Sequence, residues 1–375
     1  MLQSQTRLAF MIYRSILRPL LFRLPPETAH ELALSSLSFL NSGPIRNLFA
    51  RRYESPQFEK FKRFGLEFAN PVGLAAGFDK NGAAARALAA FGFGFVEVGT
   101  VTNEPQSGNE KPRLFRLPSD RALINRLGFN NSGATQLVQN LSRHGAECVL
   151  GVNIGKSRSV AIEDATPDYL ASFETVYDTA DYIAVNVSSP NTPQLRELQR
   201  SCLLAELLAA LQKRNGELAQ TRSQARKPLL VKIAPDLNEP ELESIIEVAQ
   251  RAEISGIIAT NTTIDRKGLR TPVDQLKACG DGGLSGAPLR ARSNELISFI
   301  YRATKGCLPI IGVGGVFTAQ DAWEKICAGA SLIQLYTGFI YEGPGVAKRI
   351  NAGLSEMLER EGFDSLDSAI GCAVR

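Results

Sequence analysis

Between residues 72 and 336 the chain carries eight short, apolar, β-rich runs, at 72–76, 95–99, 149–153, 182–186, 229–233, 256–260, 309–313 and 332–336. Their hydrophobicity is nearly continuous, which suits strands covered on both faces of a parallel sheet. Every gap between them is long enough for a crossover helix, and eight β/α units in series close a barrel. The expected fold class is therefore α/β, a (β/α)8 TIM barrel with an N-terminal helical extension. Longer gaps after the second, fourth and sixth runs, at 100–130, 187–200 and 261–290, predict loop insertions. No internal repeat or low-complexity tract competes with this pattern.

The residues that close the runs point to an enzyme. Gly77 and Lys80 follow the first run, Thr100 the second, Asn153 and Asn186 end the third and fourth, and Lys232 lies in the fifth. Asn261 follows the sixth, Gly314-Gly315 the seventh, and Tyr336-Thr337 close the eighth. Polar or glycine residues at the C-terminal ends of barrel strands are where such folds build their sites. With only two histidines and six cysteines lacking any CxxC pair, a Ser–His–Asp triad, a metal site and an iron–sulfur cluster are not expected. The scattered cysteines suggest a reduced, intracellular protein, and a net charge of +4 is too small to suggest nucleic acid as a partner.

That charge is concentrated at the N-terminus. Residues 1–50 hold Arg7, Arg14, Arg18, Arg23 and Arg46 against Glu27 and Glu31, a net +3. Two helices are expected here, at 7–24 and 27–41, with Pro19 kinking or ending the first and Pro25-Pro26 between them. Arg7, Arg14 and Arg18 share a narrow arc, while Phe10, Ile12, Ile16, Leu20, Leu21 and Phe22 supply apolar surface. Ala29, Ala33, Leu37 and Leu40 line one side of the second helix. A basic amphipathic pair suits an interfacial membrane anchor, and equally a helical hairpin packed on its own domain. No apolar run approaches the roughly 18–20 residues needed to span a bilayer, and no signal peptide is recognised.

Seven segments, in order, carry a resemblance. They are Asn70-Pro-Val-Gly-Leu-Ala-Ala-Gly-Phe-Asp-Lys-Asn-Gly82, Ile124-Asn-Arg-Leu-Gly-Phe-Asn-Asn131, Asn186-Val-Ser-Ser-Pro-Asn-Thr192, Val231-Lys-Ile-Ala-Pro-Asp236, Ala259-Thr-Asn-Thr-Thr263, Gly282-Gly-Leu-Ser-Gly286 and Ile311-Gly-Val-Gly-Gly315. Together they resemble the signature segments of dihydroorotate dehydrogenases, from about residue 25 to about residue 350. The resemblance implies FMN contacts at Ala76, Gly77, Phe78, Asp79, Lys80, Thr100, Asn153, Asn186, Lys232, Thr260, Gly286, Gly315, Tyr336 and Thr337. It implies substrate contacts at Lys80, Asn125, Arg126, Leu127, Gly128, Phe129, Asn186, Asn191, Asn261 and Thr262.

The residues themselves agree with that chemistry. Gly312-Val-Gly-Gly315 and Tyr336-Thr-Gly338 are glycine loops after the last two runs, the usual phosphate site of barrels. No G-x-G-x-x-G opens a helix after the first run, so a mononucleotide such as FMN fits better than NAD. Lys232 sits inside an apolar run, where an unpaired ammonium is costly. A reduced flavin anion would pair with it, as Glu97 could instead. Asparagine amides offer donors and acceptors together, matching the C=O and N–H edge of a dihydropyrimidine.

Within the family the membrane-associated branch uses a serine base where the soluble branch has cysteine, and the matching position is Ser189. Serine must pass its own proton on, through water or Thr192. The resemblance is thus to the class 2, quinone-dependent branch. It implies oxidation of (S)-dihydroorotate to orotate in pyrimidine biosynthesis, with FMN as hydride acceptor and a membrane quinone as final acceptor. Expected partners are dihydroorotate and orotate, a quinone and an anionic membrane surface, with a monomeric protein peripheral to the cytoplasmic face of a bacterial inner membrane. The expected division is 1–45 for membrane and quinone access, 46–350 for the barrel, and 351–375 as an extension without assigned role. Two alternatives are another FMN barrel oxidoreductase acting on a pyrimidine with NAD(P)H, and a membrane-docked flavin- or pyrimidine-binding sensor. Asn103 departs from the family pattern, which usually has proline there.

Overall fold

The structure, a computed structural model, describes residues 11–41, 43–55, 58, 61–144 and 147–374. Its strands, in chain order, are β1 (Phe61–Arg63), β2 (Leu66–Phe68), β3 (Val72–Leu74), β4 (Phe95–Val101), β5 (Leu114–Leu117), β6 (Ala122–Asn125) and β7 (Val149–Ile154). They continue as β8 (Tyr182–Asn186), β9 (Leu229–Ile233), β10 (Gly256–Ala259), β11 (Gly283–Gly286), β12 (Ile310–Val313) and β13 (Leu332–Leu335). Eight of them close a parallel barrel in the order β10-β12-β13-β3-β4-β7-β8-β9. Each of the eight apolar runs falls on one of these strands, so the barrel expected from the sequence is the barrel found.

Alternation along each strand sorts its side chains into two environments. Phe95, Tyr182, Leu230, Ile258 and Leu332 turn inward and pack as one cluster with Phe68. Val96, Val98, Ile183, Val185, Leu229, Val231, Ile257 and Ile333 belong instead to the larger cluster shared with the surrounding helices. Hairpin β1–β2 contributes Phe68, edge-on to Phe95 at 5.5 Å, and closes that end of the barrel. Further along the strands the same parity turns Glu97, Asn153, Lys232 and Gln334 inward, and Asn186 one inward position beyond Ala184. One parity rule therefore places both the apolar plug and the polar floor above it.

The insertions at 100–130 and 261–290 are not simply loops. β6 pairs antiparallel with β5 on one side and β11 on the other, so segments far apart in sequence make one three-stranded sheet. A long excursion over a barrel mouth must satisfy its backbone N–H and C=O groups, and pairing does this. Alternation holds here too: Leu114 and Leu123 pack with Phe317 and Tyr341, while Leu117, Ala122, Ile124 and Leu284 pack with Cys279.

At the N-terminus Arg7 and Phe10 lie outside the described residues. The first helix passes through Pro19 instead of ending there: a π-helical stretch, Tyr13–Leu17, leads into the α-helix Arg18–Arg23, with Pro19 in its first turn. Proline lacks the N–H and crowds the preceding turn, and the wider π turn absorbs that crowding. The second helix is Pro26–Ser38, and a third, Pro44–Tyr53, crosses the expected boundary at 45. At the other end the helix Val346–Glu361 crosses residue 350 and buries Val346, Ala347, Ile350 and Leu354. Leu366 and Ala369 are buried as well, so much of 351–375 packs into the barrel body. Among the described residues no helix is long and apolar enough to cross a membrane.

Candidate active site

The C-terminal ends of the barrel strands open into a cleft of about 940 Å³ including its mouth. Nineteen positions picked out from the sequence line it: Ala76, Gly77, Lys80, Thr100, Asn125, Leu127, Gly128, Phe129, Asn186, Ser189, Asn191, Lys232, Thr260, Asn261, Thr262, Gly286, Gly315, Tyr336 and Thr337. Phe129 holds a left-handed φ of 53° at the bend after β6.

Four others lie elsewhere. Asn153 is fully buried one layer below the cleft, and Phe78 lines a second cavity. Asp79 is buried and accepts the backbone N–H groups of Ala83 and Ala84 at 2.9 and 2.8 Å, so it shapes the turn after β3. Burial pushes its carboxyl up, against those hydrogen bonds. Arg126 follows β6 with opposite parity to Asn125; it donates to the Cys279 and Pro112 carbonyls and lies over the Phe115 ring.

Charge in the cleft is carried by two lysines. The Lys80 ammonium donates to Asn130 Oδ1 at 2.6 Å, and burial followed by the nearby Arg113 cation lowers it to about 7. Glu27, from the N-terminal helices, opposes that fall and pairs with Arg113 at 2.7 Å. Lys232 is buried, and its ammonium makes no hydrogen bond or ion pair among the described residues. Burial lowers it, opposed by the Glu97 charge. Glu97 is engaged elsewhere, accepting from Asn153, Tyr182 and Gln334 at 2.9, 2.8 and 2.8 Å. The lysine is thus left facing the cleft without a direct partner among the described residues.

Amides and hydroxyls fill the rest of the wall. Asn191 Nδ2 donates to Asn125 Oδ1 at 3.0 Å, and Asn261 Nδ2 donates to Ser188 Oγ at 3.0 Å. Ser189 is nearly buried, and its Oγ accepts the Asn191 N–H at 3.3 Å. Thr192 Oγ1 nearby is buried with no partner among the described residues. The Ser285 and Thr337 hydroxyls meet at 2.8 Å, on a lining that also includes Gly314 and Gly315. A Cβ on Gly315, at φ +72°, would stand 2.7 Å from Arg290 Cα and 2.9 Å from Arg290 N. Only glycine fits there, and a glycine loop of this kind keeps its backbone N–H groups free to meet a phosphate.

Comparison with known proteins gives the family. The family model described as dihydroorotate dehydrogenase matches residues 60–358. The chain belongs to the dihydroorotate dehydrogenase family. A relative from Gloeobacter violaceus, named dihydroorotate dehydrogenase (quinone), is 52% identical over 366 residues, covering 96% of this chain and 99% of its own. One of the same name from Deinococcus deserti is 49% identical over 365 residues, covering 96% of this chain and 99% of its own. Among solved structures, the Eimeria tenella dihydroorotate dehydrogenase in complex with ferulenol is similar at TM-score 0.81 and 39% identity, over 93% of this chain and 96% of that one. Its ligand-free form gives TM-score 0.83 at 39% identity, over 93% and 99% of the two chains.

A second cavity, about 1070 Å³ including its mouth, separates the N-terminal helices of this family member from the barrel. Leu17, Leu21, Phe22, Ala29, Ala33 and Leu37 face Phe78, Phe91, Phe339 and Ile340 across it. Tyr13, His30, Ser36, Arg116 and Tyr336 are its polar lining. Burial lowers His30 to about 4, with Lys80 adding to the fall, so it is neutral near pH 7. Tyr336 lines both cavities. The helices are fastened to the barrel by Tyr13 Oη donating to the Ile340 carbonyl at 2.6 Å and Arg116 donating to the Leu24 carbonyl at 2.8 Å.

Three contributors were missed from sequence. Gln334 and Ser285 line the cleft, and Asn130 holds Lys80. Gln334 had a usable signal, being the polar residue inside the apolar run 332–336. Asn130 had none beyond its place in a recognised segment.

Proposed function

We propose that the protein oxidises (S)-dihydroorotate to orotate, with FMN in the barrel cleft and a membrane quinone as the final electron acceptor. The observation that carries this is the convergence of Lys80, Ser189, Asn125, Asn191 and Asn261 on one cleft whose far end is a glycine-lined phosphate loop. The residues present fit FMN. Gly315 and its neighbours would take the phosphate, the Ser285 and Thr337 hydroxyls line the same cleft, and the Lys232 ammonium, without a direct partner among the described residues, suits an electron-rich ring. Bound there, FMN supplies the two-electron acceptor for the hydrogen leaving C6 of the substrate.

The protein's own groups do the rest. Lys80 holds the substrate carboxylate, and the asparagine amides match the alternating C=O and N–H groups of the ring. Ser189 Oγ takes the C5 proton. Its own proton leaves through water or toward Thr192 Oγ1, which has no other partner among the described residues. Lys232 lowers the energy of added negative charge at the acceptor. Burial of Ser189, Asn186 and Lys232 keeps the exchange away from bulk solvent.

The quinone would enter by the second cavity, whose wall is mostly apolar and which shares Tyr336 with the cleft. Residues 1–45 then serve as the access and docking segment. Of the twelve large apolar side chains that are exposed among the described residues, ten (Met11, Ile12, Ile16, Leu17, Leu20, Leu24, Leu32, Phe39, Ile45 and Leu48) belong to this end of the chain, Ile264 and Val273 being the others. Such a surface beside several arginines suits the anionic cytoplasmic face of a bacterial inner membrane, on which a monomer would lie peripherally. Purified protein should release FMN on denaturation and form orotate in step with quinone reduction. A folded preparation that reduces quinone only with NAD(P)H would overturn the assignment.

A further inference from the structure

Beneath the cleft runs a chain of buried polar groups with a single direction. Glu97 lies fully buried in β4, at the inward position above Phe95. Asn153 Nδ2 donates to its Oε1 at 2.9 Å, while Tyr182 Oη and Gln334 Nε2 each donate to its Oε2 at 2.8 Å. A carboxylate only accepts. Asn153 must therefore turn its NH2 toward Glu97 and its carbonyl oxygen the other way. That oxygen accepts from Thr100 Oγ1 at 2.6 Å and Asn186 Nδ2 at 3.2 Å.

The constraint passes on. With its NH2 committed to Asn153 and Thr100, Asn186 presents Oδ1 to Ser188 Oγ at 3.0 Å and Asn261 Nδ2 at 3.3 Å. Asn261, its NH2 committed in turn, is left with Oδ1 facing the Thr262 N–H at 2.8 Å. The same carboxylate fixes Gln334, whose Oε1 is buried without a partner among the described residues. Asn186, Asn261 and Gln334 line the cleft; Glu97 and Asn153 do not.

We propose that Glu97 is a positioning residue: its carboxylate is the accepting end of a one-way amide chain that sets which donors and acceptors Asn186 and Asn261 offer the substrate ring. This rests on the cleft being the dihydroorotate site, and it goes further by naming what gives that site its hydrogen-bond polarity.

The test is an exchange of the first two groups of the chain. In Glu97→Gln the new amide keeps an oxygen for Tyr182 and Gln334 and so turns its NH2 against the Asn153 NH2. Either one buried bond is lost or the amides beyond it invert, and orotate binding to the holoenzyme, measured by calorimetry, should weaken roughly tenfold or more. Asn153→Asp sets two carboxylates against each other and should be at least as damaging. In the double variant E97Q/N153D the introduced amide donates its NH2 to the introduced carboxylate, whose other oxygen accepts from Thr100 and Asn186 as the Asn153 carbonyl did. Polarity is restored with the charge moved by one residue, and orotate affinity should return to within about threefold of wild type.

A role in packing alone predicts that the two single losses accumulate. Wild-type affinity in E97Q, or a double variant no better than the weaker single, overturns the proposal. Thermal melting of the same four proteins gives a readout that needs no substrate. The double should melt above both singles, and should be recovered folded even if a single is not; a double no more stable than E97Q counts against the chain. Wild-type protein that binds no orotate would remove the substrate assignment, while the melting comparison still judges the polarity.

Discussion

Raising the pH through neutrality should weaken orotate binding along a curve set by Lys80. In the free protein its ammonium is lowered to about 7, first by burial and then by the Arg113 cation. The orotate carboxylate is an anion across this range, so it binds the charged lysine and holds the proton on it. The sign follows: affinity is full below the lysine's value in the free protein and lost as pH rises through it. With one proton linked, the dissociation constant should be nearly flat below about pH 6 and climb about tenfold per pH unit above about pH 8, reaching about 100-fold at about pH 9. The assay is calorimetric titration of the holoenzyme with orotate at constant ionic strength. Lys80→Met should bind weakly with no such pH dependence. Glu27→Gln removes the carboxylate paired with Arg113 at 2.7 Å and should move the wild-type curve to lower pH, because the Arg113 charge then acts on Lys80 unopposed. A wild-type dissociation constant unchanged between about pH 6 and about pH 9 would refute this role for Lys80.

Three further outcomes are expected. Ser189→Ala should slow single-turnover flavin reduction by roughly 10²–10⁴-fold while orotate affinity stays close to wild type; near-normal reduction would put the base elsewhere. Gly315→Ala, whose Cβ would press on Arg290 backbone at 2.7 and 2.9 Å, should cost FMN content while circular dichroism stays native. Full FMN occupancy there would exclude this loop as the phosphate site. Deleting residues 1–40 removes one wall of the second cavity, so long-chain quinone reduction should collapse while a small soluble acceptor still works, and salt-sensitive vesicle binding should fall with it. Unchanged long-chain quinone kinetics in a folded truncation would contradict the access role.

The barrel was legible because its signal is repeated: eight apolar runs each place their inward residues by the same parity, and Lys232 stood out as a charge within one of them. What parity could not reveal is pairing across long separations. β6 and β11 are four-residue strands that pair with each other across more than a hundred residues, and neither carries enough alternation to stand out from a loop. Direction was the other gap. Arg126, one residue past the end of β6, turns to the Cys279 and Pro112 carbonyls, and Asp79 turns into its own turn to hold the Ala83 and Ala84 N–H groups. Both occur in a recognised segment, but segment membership says nothing about which way a side chain points. At Pro19 the helix continues behind a π turn, so of the two outcomes expected there the ending is the one that does not occur.

The most direct test of the central assignment is the visible spectrum of the purified protein under nitrogen, before and after stoichiometric dihydroorotate. The arrangement of Lys80, Ser189 and the asparagines around a flavin-sized cleft predicts a yellow protein whose flavin absorbance bleaches on addition of dihydroorotate, with one orotate formed per flavin, and recovers when a quinone is added. An oxidised spectrum that persists in the presence of dihydroorotate, in folded protein with its FMN bound, would contradict it.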